Sequence, residues 1–384
     1  MSQARNNSKR FHELRSRYPE FVYEGHSVHR DGDRWVIIWD FRMGTEIRFR
    51  PRLVVPHVST LNTEQATLVL ETLGFQLGMV ELISYWKTAC PPRIVIKPYS
   101  MDEEGKAFWS SLYYLGLGEF RYLNGIDIPC EEFLSLECVG RPMERASFPT
   151  DPSRYLVPIG GGKDSAVTLS LLGGAGRDVV PFMLNPLPAS LRTVSAAGIP
   201  PARCLIFRRQ LDPLLLQLND AGYLNGHTPF SALLAFTTLI ASYLSGSGRI
   251  ALSNEASANE ATVPGTDINH QYSKSYHFEA SFRDYVRGKL KLPVDYFSLL
   301  RPLNELQIAS LFAREPRFHS VFRSCNAGSK EDRWCGNCPK CLFTAIILAP
   351  YMDDNELRMI FGKDMLEDEA LKPWLDELAG WSDI

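Results

Sequence analysis

The sequence predicts an α/β fold: a doubly wound parallel sheet with a four-cysteine site toward its C-terminal end, preceded by a further α/β segment. The first observation is Tyr155-Leu-Val-Pro-Ile159, which enters Gly160-Gly161-Gly162-Lys163-Asp164-Ser165 and then the apolar-rich Ala166-Val-Thr-Leu-Ser-Leu-Leu172. Such a succession reads as strand, tight loop and helix start. The second is rhythm, because strand-length runs at 155–159, 179–184, 204–207 and 249–252 alternate with helical stretches, the pattern of parallel strands joined by crossovers. The third is the clustering of Cys325, Cys335, Cys338 and Cys341 in one short segment.

A length of 384 residues allows two to three domains and a large core. Phe148-Pro-Thr-Asp-Pro-Ser153 has linker chemistry, so the expected division is an N-terminal α/β domain at 1–150 with a substrate-binding role, a catalytic domain at 151–350, and an acidic helical tail at 351–384. A net charge of −3 argues against a general nucleic-acid binder. Residues 351–384 carry 3 Lys/Arg against 10 Asp/Glu, which reads as a solvated helical surface. The first ten residues are polar and the apolar-rich stretches near 233–244 and 341–352 are too short to cross a bilayer, so the expectation is a cytoplasmic protein without a membrane partner. The scattered Cys90, Cys130, Cys138 and Cys204 suit a reducing compartment.

In the N-terminal part, residues 26–30 and 34–39 flank Asp31-Gly32-Asp33, a hairpin signal, and 46–55 adds a strand. A helix follows from about residue 63 to 86. Arg48, Arg50 and Arg52 would share one strand face, able to hold a diphosphate or simply solvated at an edge that Pro51 marks.

In an open α/β sheet the ligand lies beyond the carboxyl ends of the strands, so the loops after them matter most. The glycines at 160–162 let backbone approach a ligand, and helix-start amides favour an anion by roughly 0.3–1 kcal/mol each. The Walker pattern fails, since Val157 stands where its first glycine belongs and Asp164 follows Lys163; the dinucleotide fingerprint fails at Ser165. After 249–252 comes a second rich loop, Ser253-Asn-Glu-Ala-Ser-Ala-Asn-Glu260 and Gly265-Thr-Asp-Ile-Asn-His-Gln-Tyr-Ser-Lys-Ser275. Glu255 and Glu260 are candidates for magnesium or a ligand amine, and His270, Tyr272 and Lys274 for proton transfer. Gly226-His227-Thr228-Pro229 reads more simply as the cap of the apolar helix 230–244.

The four clustered thiols have nine, two and two residues between them. That spacing closes a tetrahedral all-cysteine zinc site of the structural kind, with an iron–sulfur cluster as the alternative.

Gly160-Gly161-Gly162-Lys163-Asp164-Ser165 resembles the pyrophosphate loop of ATP pyrophosphatases, with Gly160 where those have Ser. Together with the cysteines it is similar to the 7-cyano-7-deazaguanine synthase family, whose members lack the first 150 residues found here. More of the chain resembles the ATP-dependent UDP-N-acetylmuramoyl-L-alanyl-L-glutamate epimerase family, through Val157-Pro-Ile-Gly-Gly-Gly-Lys-Asp-Ser165, the segments 253–260 and 269–275, Tyr296-Phe-Ser-Leu-Leu-Arg-Pro302 and Trp334-Cys-Gly-Asn-Cys-Pro-Lys-Cys-Leu-Phe343. The resemblance implies an adenine-nucleotide alpha-hydrolase type of sheet and an enzyme that adenylates a carboxylate with ATP. It implies phosphate contacts from Gly160, Gly161, Gly162 and Ser165, charge neutralisation by Lys163, magnesium on Asp164, pyrophosphate support from Arg301, and a UDP-sugar dipeptide as substrate. His270 and Lys274 are then the acid–base pair, with Glu255, Glu260 and Tyr272 toward substrate or magnesium. Another carboxylate-adenylating or tRNA-modifying enzyme is the alternative.

Overall fold

The computed structural model describes residues 7–58, 61–261, 268–325, 327–328 and 331–381, so Gly265, Thr266 and Asp267 of the second rich loop lie outside the described residues. The strands are β1 Glu20–Asp31, β2 Arg34–Met43, β3 Ile47–Phe49, β4 Arg52–Pro56, β5 Arg93–Ile96, β6 Ser135–Cys138, β7 Asp151–Pro158, β8 Asp178–Leu184, β9 Leu205–Gln210, β10 Ser247–Leu252 and β11 Asp295–Ser298. They form one mixed sheet in the order β11-β10-β7-β8-β9-β4-β2-β1-β5-β6, with β3 beside β2.

The hairpin signal gives β1 and β2, antiparallel around a two-residue turn in which Gly32 has φ +60°. Trp35, Ile37, Trp39, Phe41 and Met43 alternate onto one buried face, the period-2 pattern of a sheet packed on one side. The covering helix, Thr63–Glu81, starts where Asn62 accepts from the amides of Glu64 and Gln65. It lies close because of its glycines: a Cβ on Gly78 would fall 2.2 Å from Tyr23 Oη and 2.6 Å from Trp39, whose Nε1 donates to the Gly74 carbonyl at 2.8 Å. The 24-residue stretch Thr63–Trp86 is long and apolar enough by length and composition to cross a bilayer, and most of it is buried inside the protein. This corrects the expectation that the longest apolar stretches are 233–244 and 341–352.

The three arginines do not lie on one strand, although Arg48 and Arg52 pair with Arg42 and Ile38, which share a face of β2. Arg48 is on β3 and pairs with Asp40 at 3.6 Å, Arg50 falls between strands, and Arg52 on β4 bonds Gln210. Pro51 interrupts the chain between β3 and β4 rather than marking an edge, because β4 is interior and pairs antiparallel with β9. This pairing fuses the two halves into one sheet across residue 150. It is reinforced by Arg209 of β9, whose Nε and Nη2 donate to Glu81 at 2.7 and 3.0 Å, the Glu81 side chain being only 1% exposed. Removing one partner strands a buried charge. We expect Arg209→Met to destabilise the protein by about 3–5 kcal/mol, read from a denaturant melt.

Strands β11-β10-β7-β8-β9 are all parallel. Leu156, Val180, Phe182, Ile250, Leu252 and Tyr296 join the core that contains the helix Phe230–Ser245, while Tyr155, Val157, Val179, Met183 and Ala251 join the core that contains Leu169, Leu172 and Val194. Helices therefore cover both faces of this half, as doubly wound sheets require. The tail is helical over Asp354–Phe361 and Lys372–Leu378, but it is not wholly a solvated surface: Leu357, Ile360, Phe361 and Leu371 enter a third core with the cysteine segment.

Candidate functional site

From β7 the chain winds outward through β8 to β9 on one side, then crosses back to β10 and β11 on the other. The loops leaving β7 and β10 diverge, opening a crevice at this topological switch point. The glycine loop and the 253–275 loop both lead out of it, joined where Thr168 Oγ1 and Ser253 Oγ lie 2.8 Å apart.

Gly161 has φ +88°, and a Cβ there would fall 2.7 Å from the Ser190 amide nitrogen and 2.9 Å from the Ala189 carbonyl carbon. Its carbonyl accepts from the Arg323 amide at 2.8 Å. The bend is thus gripped from two sides. The helix Lys163–Gly174 starts at Gly162 with no side-chain cap, which leaves first-turn amides for an anion; Ser165 Oγ donates to the Gly162 carbonyl. Lys163 Nζ, on a side chain 7% exposed, lies 2.6 Å from Asp164 Oδ1 and pairs also with Glu305. Burial alone would lower the Lys163 pKa, but the two carboxylates outweigh it and hold the ammonium protonated. Glu305 is raised, by burial first and by the nearby charges of Asp164 and Glu255, against the pull of Lys163. A charged lysine therefore stands between the two carboxylates. Glu305 was not foreseen; the Asn304–Gln307 capping box was the available signal, since it sets a helix start in the sequence just after Arg301-Pro302.

Arg301 Nη1 donates to the Glu255 carbonyl at 2.9 Å, and Nη2 to the Lys274 carbonyl, to Glu279 at 3.1 Å and to Ser298 Oγ at 3.2 Å. Its Nε is buried without a hydrogen-bond partner. It joins the two ends of the 253–275 loop and lines a cavity of about 910 Å³ together with Asn259, Tyr272, Tyr276, His277 and Ser281. Glu255 accepts from Ser257 Oγ at 3.2 Å, whereas Glu260 is exposed at the margin of that loop. Tyr272 is buried, its phenol pushed up to about 12 by desolvation, and its hydroxyl is 3.0 Å from His277 Nδ1.

His270 Nε2 is 3.1 Å from Gln271 Nε2. Burial and the Lys274 charge lower its pKa against the opposing effect of Glu119. Glu119, from the N-terminal half, was also missed; it lies 3.8 Å from His227 Nδ1. Lys340, within the cysteine segment, is lowered by partial desolvation and by Lys274, and it feels the charge of Asp164 as well. Lys340 is therefore within electrostatic reach of both the glycine loop and the 270–274 segment.

The sulfurs of Cys325, Cys335, Cys338 and Cys341 lie within 4.8 Å of one another, with Cys325–Cys338 at 3.9 Å, Cys335–Cys341 at 3.6 Å and Cys338–Cys341 at 3.5 Å. Zn–S bonds of about 2.3 Å in a tetrahedron require sulfur edges near 3.8 Å, so the donor set fits a metal such as zinc. The amides of Gly328, Asn337 and Cys341 point at Cys325, Cys335 and Cys338 sulfurs at 3.3, 3.5 and 3.4 Å, which favours thiolates.

Residues 12–299 match the family described as MurL N-terminal domain, and residues 318–384 that described as MurL C-terminal domain. The chain is 37% identical over 342 residues to a UDP-N-acetyl-alpha-D-muramoyl-L-alanyl-L-glutamate epimerase of Salinispora tropica, covering 87% of this chain and 74% of that protein. It is 36% identical over 341 residues to the protein of the same name from a Micromonospora species, covering 87% and 75%. A protein of that name from Xanthomonas oryzae pv. oryzae is 36% identical over 336 residues, covering 84% and 72%.

Proposed function

This chain belongs to the MurL epimerase family, and from that membership we propose that it converts the terminal L-Glu of UDP-N-acetylmuramoyl-L-alanyl-L-glutamate to D-Glu through an acyl-adenylate. The observation that carries the reading is a gripped, uncapped glycine bend at the switch point of a doubly wound sheet, in a chain so similar to named epimerases.

A proton alpha to a carboxylate is barely acidic because its carbanion would stand beside an existing negative charge. Attack of the α-carboxylate oxygen on the first phosphorus of ATP expels pyrophosphate and converts the carboxylate to an ester-like carbonyl that takes up the electron pair. The proton then leaves one face and a proton arrives on the other. Water finally cleaves the mixed anhydride to give AMP and the epimerised acid.

In this scheme the amides of the Gly160, Gly161 and Gly162 bend and Ser165 hold phosphates, and Lys163 offsets their charge as it leaves. Asp164 is the residue that would hold magnesium, whose chemistry is to neutralise phosphate oxygens. Arg301 keeps the loop carrying His270 and Lys274 in place. Zinc at the four cysteines is structural. A nucleotide-linked substrate puts the reaction in the cytoplasm.

The test is incubation with ATP, magnesium and UDP-N-acetylmuramoyl-L-Ala-L-Glu in deuterated water. AMP release, D-Glu formation and deuterium at the glutamyl α-carbon are expected together; none of the three with folded, metal-loaded protein overturns the reading and turns attention to other carboxylates. A pH profile gives a second check. His270 must be neutral to accept a proton, and its pKa is held below the ordinary value of about 6.5. The neutral form therefore predominates at pH 6.5 and above and is lost as pH falls through the lowered pKa, so the acid limb of kcat/KM for epimerisation should lie below pH about 6.5.

A further inference from the structure

Lys163 is the first residue of its helix, the end at which the aligned peptide dipoles disfavour a cation. Its side chain is only 7% exposed, so the ammonium needs acceptors close by. It finds two of different origin. Asp164 belongs to the same helix and its Oδ1 lies 2.6 Å away, whereas Glu305 opens the helix Glu305–Ala313 and reaches the same nitrogen with Oε2.

This second helix does not depend on the glycine bend for its position. Its start is set by reciprocal capping, the Gln307 amide donating to Asn304 Oδ1 at 2.9 Å and the Asn304 amide to Gln307 Oε1 at 3.0 Å. It packs along the helix Lys163–Gly174, where Ile308, Ala309 and Phe312 share a core with Ala166 and Val167. Just beyond its far end Glu315 accepts from Ser170 Oγ, so the two helices are joined at both ends. Glu305 is therefore delivered to Lys163 by a packed neighbour.

We propose that Glu305 is the positioning residue for Lys163: it holds the ammonium beside the glycine bend before the nucleotide binds and yields it to the phosphates when ATP arrives. This rests on the ATP reading above. An ammonium has three N–H donors, and two carboxylates already draw on this one. A polyphosphate brings further negative charge to the same cation, so one carboxylate gives way or stands uncompensated. Asp164 is tied to the bend by its place in the chain, and Glu305, with a side chain 26% exposed on a separate helix, is the one that can turn toward water. The consequence has a sign. Glu305 opposes ground-state binding of ATP, and it favours turnover by keeping Lys163 aimed for the charge that develops on the departing pyrophosphate.

The test uses the full-length, metal-loaded protein with magnesium. Calorimetric titration with α,β-methylene-ATP, which cannot be split between its first and second phosphorus atoms, measures ground-state affinity, and substrate-dependent ATP–pyrophosphate exchange measures turnover. Glu305→Gln keeps the shape and an acceptor but removes the charge, so the analogue should bind roughly 5-fold more tightly while kcat of exchange falls roughly 10- to 100-fold. Glu305→Asp restores the charge, and should return analogue affinity to that of the unmodified protein and recover part of the turnover. In a Lys163→Met background, Glu305→Gln should cost no further turnover, because the group it positions is gone. Unchanged kcat in Glu305→Gln overturns the proposal. So does weaker binding of the analogue, which makes Glu305 a structural or magnesium-holding residue, and so does an added loss in the Lys163→Met background. Where Glu305→Gln does not fold, Glu305→Asp decides: unmodified affinity with reduced kcat supports the proposal, and any other pairing overturns it. Absence of exchange in the unmodified protein with its L-Glu substrate instead defeats the ATP reading itself.

Discussion

Replacing Gly161 by alanine should reduce substrate-dependent ATP–pyrophosphate exchange by roughly 10²-fold or more while the sheet stays folded. Two costs coincide at this residue. A φ of +88° is a region that side chains rarely adopt, and the new Cβ would fall 2.7 and 2.9 Å from backbone atoms of Ser190 and Ala189. Backbone at the start of a packed helix cannot swing aside as a flexible side chain can, so the bend itself must move. Its amides then leave the position from which, in the proposed scheme, they would meet a phosphate, and a misplacement of about 1 Å is worth on the order of 10²-fold in rate. Gly160 is the internal control, because a Cβ there meets nothing within 4 Å and no left-handed backbone is required. Gly160→Ser should retain activity close to the starting protein. If Gly161→Ala exchanges pyrophosphate normally at an unchanged Tm, the bend does not hold the nucleotide.

The parts of the fold legible in the sequence are those fixed by local pattern. Strands β7, β8 and β10 are buried on both faces, so they read as near-continuous apolar runs, and the turn at Gly32 follows from two residues. The helical stretch at 63–86 is legible too, with an apolar run as long as a bilayer span. What could not be read was pairing at a distance. Nothing within Arg52-Leu-Val-Val announces that it will pair with β9 some 155 positions later, and Glu81, which braces Arg209 of β9, comes from a further segment, the covering helix. Asp151-Pro-Ser153 had linker chemistry and begins a strand instead, because Pro at a strand's first turn forfeits little of the ladder and Asp151 Oδ1 closes its own turn on Ser153.

The site divides in the same way. The glycine bend and the cysteines are contiguous motifs, and their geometry is near that expected from spacing. Glu305 meets Lys163, Glu119 meets His227 and Lys340 feels Asp164 and Lys274, from three separate segments, and each looks ordinary in its own stretch. The turn 226–229 reads as a cap before an apolar helix, whereas the helix starts at Phe230 after Pro229 with no side-chain cap, and Glu119 approaches His227 from another part of the chain.

Stripping the metal from the four cysteines should unfold the C-terminal lobe and silence the nucleotide loop together. The sulfur edges match a tetrahedral site, and closing such a site is worth roughly 10–16 kcal/mol in small zinc peptides. Cys325 and Cys341 are wholly buried in a core with Trp334, Phe322, Phe361 and the tail residues, and that core also contains Ala166 and Val167 from the back of the helix that follows the glycine bend. Arg323, two residues before Cys325, donates the amide that holds the Gly161 carbonyl. Loss of the metal therefore releases both the packing behind that helix and one of the two grips on the bend. For Cys341→Ser, or after chelation, we expect Tm to drop by about 10 °C or more, the emission of Trp334 to shift as its contacts with Phe322 and Phe361 open, and ATP–pyrophosphate exchange to disappear in parallel. Metal analysis should find zinc in a colourless protein; a coloured protein containing iron and labile sulfide would make it an iron–sulfur centre. A metal-free protein with unchanged Tm and full exchange would show that neither the lobe nor the nucleotide bend depends on the ion.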